Sequence, residues 1–158
     1  MTRLARCAVA AAVLAGAVPA CGGDDGGPGN PLIATWVASD LTPGTQFVFV
    51  DSLGMQTDVL ALGATTVALN IRADSSFTLT VVVLGNIVDN RSGTWVQDTS
   101  TSTITITEVP GGAVIPFDYT LAGKQLAIAT QNFGDITFDF DGNMVPEPAD
   151  LFATFMKN

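Results

Sequence analysis

Histidine is absent from this 158-residue chain, glutamate occurs only at Glu108 and Glu147, and the two cysteines are Cys7 and Cys21. Without histidine there is no imidazole for acid–base chemistry, no Ser-His-Asp type of triad and no zinc site of the His/Cys kind. No Gly-rich loop follows a strand pattern and opens a helical one, so nothing cradles a nucleotide phosphate. Six basic residues stand against fifteen acidic ones. Such a chain is repelled by nucleic acid, whose backbone demands cations. A pair of carboxylates remains as a route to glycoside hydrolysis, but the aspartates fall mostly in turn-like stretches, where they bond the local backbone. The expectation is a protein without catalytic activity.

What is present begins with an export signal. Arg3 and Arg6 precede an apolar run over residues 7–18, and small residues lead to Ala20. About a dozen apolar residues make a cleavable signal over residues 1–20, whereas a spanning helix needs roughly 20. Pro19 ends any helix there. The tetrad Val18-Pro19-Ala20-Cys21 resembles the bacterial lipobox, with an aliphatic residue three before the cysteine and a small one just before it. That resemblance implies a lipidated Cys21, with diacylglyceryl on its thiol, cleavage before it and a fatty acyl group such as palmitate on the freed amine. The other reading is an ordinary cysteine after a conventional cut at Ala20. Several chains hold far more firmly than one, since each buried methylene contributes about 0.8 kcal/mol.

Residues 21–31 then read as a flexible tether, because Gly, Asp, Pro and Asn bury too little apolar surface to offset the entropy of ordering. Loss of Arg3 and Arg6 with the signal leaves 4 basic and 15 acidic residues, a formal charge of −11. Attachment to a membrane therefore falls to the lipid and not to the surface. The expected location is the bacterial cell envelope. Gly22 after the cysteine resembles the pattern that sends lipoproteins of two-membrane bacteria to the outer membrane.

Residues 32–158 read as one all-β domain. Apolar residues recur at every second position in short runs parted by turn residues, as half-buried strands require. Phe77, Leu79, Val81 and Val83 make one such set, and Ile104 and Ile106 among threonines make another. Ten strands are expected, over 32–39, 46–51, 66–72, 76–84, 93–97, 103–108, 115–121, 125–130, 135–141 and 151–156. Turns are expected at 73–75, 85–90, 98–102 and 122–124, and connections that short make consecutive strands antiparallel neighbours. Residues 55–63 fit either a bulged strand or one helical turn. A meander of this length with one apolar face has to close or split into two sheets to hide its edges. Closure is the simpler outcome.

Thr35-Trp36-Val37, Ala73-Asp74-Ser75-Ser76-Phe77, Ser92-Gly93-Thr94-Trp95, Phe117-Asp118-Tyr119-Thr120-Leu121 before Gly123, and Leu126 together resemble bacterial lipocalin-like lipoproteins. The resemblance implies an up-and-down barrel of about eight strands. It names no ligand.

A barrel of that size is either filled by its own side chains or shares its interior with one small guest. In the second case Trp36, Leu69, Leu79, Trp95, Phe117 and Tyr119 are the candidate lining, and the guest is hydrophobic. A void of about 300 Å³ or more marks such a site. A filled barrel points instead to a structural or interaction role. One further cluster has ligand spacing: Asp139, Asp141, Asn143, Glu147 and Asp150 offer oxygens at positions 1, 3, 5, 9 and 12 of a calcium loop. Met144 stands where that loop needs glycine, and Asp150 where it has a bidentate Glu. The same residues also read as a plain turn between the last two strands.

Overall fold

The structure is a computed structural model that describes residues 29–63, 65–139 and 144–158. The expected signal segment, Cys21 and the tether up to residue 28 lie outside the described residues. So do Asp141 and Asn143.

Eleven strands and a single turn of 3-10 helix make up the described chain. They are β1 (Ala34–Ser39), β2 (Gln46–Val50), β3 (Gln56–Asp58), the 3-10 turn (Val59–Leu62), β4 (Thr65–Ile71), β5 (Ser76–Val83), β6 (Asn86–Asp98), β7 (Thr103–Glu108), β8 (Val114–Ala122), β9 (Gln125–Thr130), β10 (Ile136–Phe138) and β11 (Glu147–Lys157). All neighbours are antiparallel, in the order β1-β4-β5-β6-β7-β8-β9-β11-β2-β3, and β1 also pairs with β11.

Eleven segments make a barrel of eight because three walls are interrupted. β1 and β2 lie one after the other along β11, with Trp36 opposite Lys157 and Gln46 opposite Thr154. β4 and β3 continue one another along the same two segments. β9 and β10 do so on the other side of β11, where Ala129 faces Phe152 and Ile136 faces Ala149. The result is a closed, eight-walled, antiparallel meander, as the alternation predicts. It is consistent with a lipocalin-like fold.

The period-2 pattern is visible in burial. Thr65, Val67, Leu69 and Ile71 of β4 point inward, as do Ala149, Leu151, Ala153 and Phe155 of β11. Phe77, Trp95, Ile104, Phe117 and Leu126 are buried, and Leu79, Ile106 and Tyr119 pack against that core.

Two local expectations are corrected. Residues 85–90 are not a loop: the turn is Leu84-Gly85 alone, with φ of 50° and 80°. A two-residue turn with both φ positive matches the right-handed twist of its flanking strands, so β6 starts at Asn86. The last strand likewise begins at Glu147 and not at 151. The ambiguous stretch at 55–63 contains both alternatives, a three-residue strand and then the 3-10 turn, which Asp58 caps by accepting from the Leu60 amide at 3.0 Å.

One end of the barrel is shut. Leu32, Trp36, Leu126 and Phe155 have no exposed surface there. The Trp36 indole N–H donates to the Leu32 carbonyl at 2.9 Å, which folds residues 30–33 across the opening. Asn30, within the expected tether, donates to Gln97 at 2.8 Å, and Gln97 in turn donates to the Tyr119 hydroxyl at 2.5 Å. The chain thus enters the barrel at its closed end.

Candidate ligand-binding site

The opposite end is open, and the interior is hollow beneath it. A chamber of about 270 Å³ lies under the mouth, and a smaller one of about 50 Å³ continues below it. Phe47, Phe77, Leu79, Ile106, Phe117 and Leu151 line both. An apolar cavity of about 150 Å³ suffices for a benzene ring. Space for a small apolar molecule therefore exists.

The aromatic wall comes from alternation in the shorter strands. Phe47 and Phe49 of β2 meet edge to face at 5.6 Å, Phe47 meets Phe155 at 6.1 Å, and Phe49 stacks on Phe138 of β10 at 4.2 Å. The interruption at residues 131–135 helps to make this possible, because it returns β10 to the wall with Ile136 and Phe138 turned inward. Val59 of the 3-10 turn joins the lining from the other side.

Among the residues anticipated from sequence, Leu69, Leu79, Trp95 and Phe117 line the cavity. Trp36 and Tyr119 lie elsewhere. Trp36 is part of the closed end, and Tyr119 turns its hydroxyl to Gln97. The Trp95 indole donates to the Arg72 carbonyl at 3.0 Å, which fixes its ring at the floor of the smaller chamber.

Sequence reasoning missed the polar group at the mouth. Asp89 and Arg91 are two apart on β6 and so share its inward face, and Glu108 ends the neighbouring β7. Arg91 Nε donates to Asp89 Oδ2 at 2.8 Å, and its Nη1 to Glu108 Oε1 at 3.2 Å. All three line the larger chamber. Burial alone lowers the affinity of Arg91 for its proton, but hydrogen bonds and charge from Asp89 and then Glu108 outweigh it, and the guanidinium is held above its ordinary value. The signal was the spacing of Asp89 and Arg91 within a strand, hidden because the stretch reads as a turn.

The mouth differs from the closed end in two further ways. Its four turns and the strand ends beside them carry nine exposed large apolar side chains: Leu53 and Met55; Leu84, Ile87 and Val88; Val109 and Val114; Met144 and Val145. The three hairpin turns at the closed end, 72–75, 98–102 and 122–124, carry none, whereas Leu41 is exposed in the nearby 40–45 turn, where the Gly44 carbonyl accepts from Gln125. Charge divides as well. Arg72, Lys124 and Lys157 are at the closed end with Asp74 and Asp98, whereas Asp51, Asp89, Glu108, Asp139 and Glu147 are at the mouth with Arg91.

The calcium-loop candidates are only partly described. Asp139 accepts from the Met144 amide at 2.8 Å, Asp150 accepts from the Thr130 hydroxyl at 3.2 Å, and Glu147 is paired in β11 with Phe138. Among the described residues no three His, Cys, Asp or Glu side chains form a group that could hold a metal ion.

The chain matches no protein-family model and no curated protein.

Proposed function

We propose that this chain is a cell-envelope lipoprotein, anchored through acyl chains on Cys21, whose lipocalin-like barrel binds one small hydrophobic molecule without transforming it. The observation that carries the reading is the chamber of about 270 Å³, walled by Phe47, Phe49, Phe77, Phe117 and Phe138 and open at one end. Pockets for small ligands are concave and mostly apolar, with a few polar groups, and this one has that composition. A purely structural barrel gains by filling its core, since interiors otherwise pack as densely as organic crystals.

The N-terminal signature supports the anchor and the envelope location, with the outer membrane the destination in a two-membrane cell. Chain entry at the closed end leaves the mouth free of the attachment. The absence of histidine and the scarcity of glutamate support a non-catalytic role, and no calcium is needed for the binding proposed.

Trp95 supplies the test. Addition of the neutral probe N-phenyl-1-naphthylamine should raise the probe's emission and quench tryptophan emission at a one-to-one limit, and Phe117→Trp should block both. No response at any concentration below probe saturation would end the binding proposal. Mass spectrometry of the extracted protein, with acyl chains expected on Cys21, checks the anchor separately.

A further inference from the structure

We propose that the mouth selects by charge: among apolar molecules of one size, it admits those whose polar end is neutral or cationic and turns away carboxylates. This rests on the cavity being a binding site. An arginine at the lip of an apolar chamber would by itself attract a fatty acid, because guanidinium and carboxylate match in shape and charge. Here the arginine is already held by two acids. Asp89 and Glu108 take Nε and Nη1 at 2.8 and 3.2 Å, and the group of three carries a net charge of −1.

A carboxylate reaching the N–H groups that Arg91 has left would meet a cation already neutralised by two acids and would sit beside them as a third negative charge. Like charges brought together at an interface repel and weaken association. Glu108 is the less exposed of the two acids, at 20% against 41% for Asp89, so its charge is the less screened by water. The surroundings offer no substitute, since Arg72, Lys124 and Lys157 are all at the far end. A hydroxyl or amide can instead donate to either acid while Arg91 stays in place. An ammonium group gains from the net negative charge. The apolar turns around the opening accommodate whatever alkyl length the chamber leaves outside.

A matched series of decanol, decylamine and decanoate, competing for N-phenyl-1-naphthylamine on the purified full chain near neutral pH, tests the inference. Decanol and decylamine should displace the probe at concentrations about tenfold or more below decanoate, as expected where like charges meet. The double change Asp89→Asn with Glu108→Gln frees Arg91. It should improve decanoate by about tenfold and weaken decylamine. Decanoate competing as well as decanol on the unaltered protein would overturn the selectivity while leaving the cavity intact as a site. A probe that never binds would overturn both. The unaltered protein decides the matter without any variant, and Glu108→Gln alone serves if the double change does not fold.

Discussion

Asp74 and Asp98 do the same work at two turns of the closed end. Each carboxylate accepts from the hydroxyl and the amide of the serine two residues on: Asp74 from Ser76 at 2.6 and 2.9 Å, and Asp98 from Ser100 at 2.6 and 2.8 Å. The serine hydroxyl bond, then the amide bond, lowers the proton affinity of both below the ordinary carboxylate range. Their contribution to stability is therefore complete above the value of the unfolded chain. It is lost as pH falls through the lower, folded value. Melting temperature followed down from neutral pH should drop across that window, and Asp74→Asn with Asp98→Asn should flatten the drop. An unchanged acid limb in the double variant would show that other carboxylates set it.

At the scale of the strand, β6 shows what could be read in advance and what could not. β4, β5 and β7 place apolar residues at every second position, so their faces and even their partners were legible. The inward set of β6 is Asp89, Arg91, Gly93, Trp95 and Gln97, with a single large apolar member, while Ile87 and Val96 face out. Its pattern is inverted over half its length because it forms the polar lip of the cavity and carries the link to Tyr119. Alternation read as greasy-in fails there because Asp89 and Arg91 face a hollow mouth and not a packed core, which accords with the binding role proposed. The aromatic wall was hidden differently: Phe47, Phe49 and Phe138 lie in strands of five and three residues, too short for periodicity to say which barrel end they serve. Gly93 is equally specific. A Cβ there would sit 1.9 Å from the Thr107 carbonyl oxygen of β7. Glycine in a strand often marks such a close backbone approach. Gly93→Ala should destabilise the protein by about 1–3 kcal/mol, the usual range for overpacking, read as a lower denaturation midpoint.

The wall made by β1 and β2 meets β11 mostly through β2, and the β1 part of that contact is a short seam. β1 meets β11 at Trp36–Lys157 and Val37–Met156 only. One terminal bond reinforces it, from the Asn158 amide to the Thr35 carbonyl at 3.0 Å, while the Lys157 amide ties the other edge of β11 to the Lys124 carbonyl at 2.7 Å. Removal of residues 155–158 would delete this seam and the fully buried Phe155. Loss of a buried Phe side chain alone costs about 3–5 kcal/mol, and the edge of β1 that had faced Met156 and Lys157 would then be free to recruit other chains. Size-exclusion chromatography should show higher oligomers at a temperature where the intact chain stays monodisperse. The buried Leu32 is a milder probe of the same end: Leu32→Ala should cost about 2–5 kcal/mol while leaving the seam in place.

Arg72, Lys124 and Lys157 offset Asp74 and Asp98 at the closed end, whereas carboxylates outnumber Arg91 at the opposite rim, and this uneven placement gives the molecule a long-axis dipole. Above a phosphate-bearing leaflet that dipole turns the lysine pole down and the opening up, the same pose that suspension from residue 30 would favour. A guest would then be collected from the aqueous gap or from a facing surface, and not drawn out of the leaflet underneath.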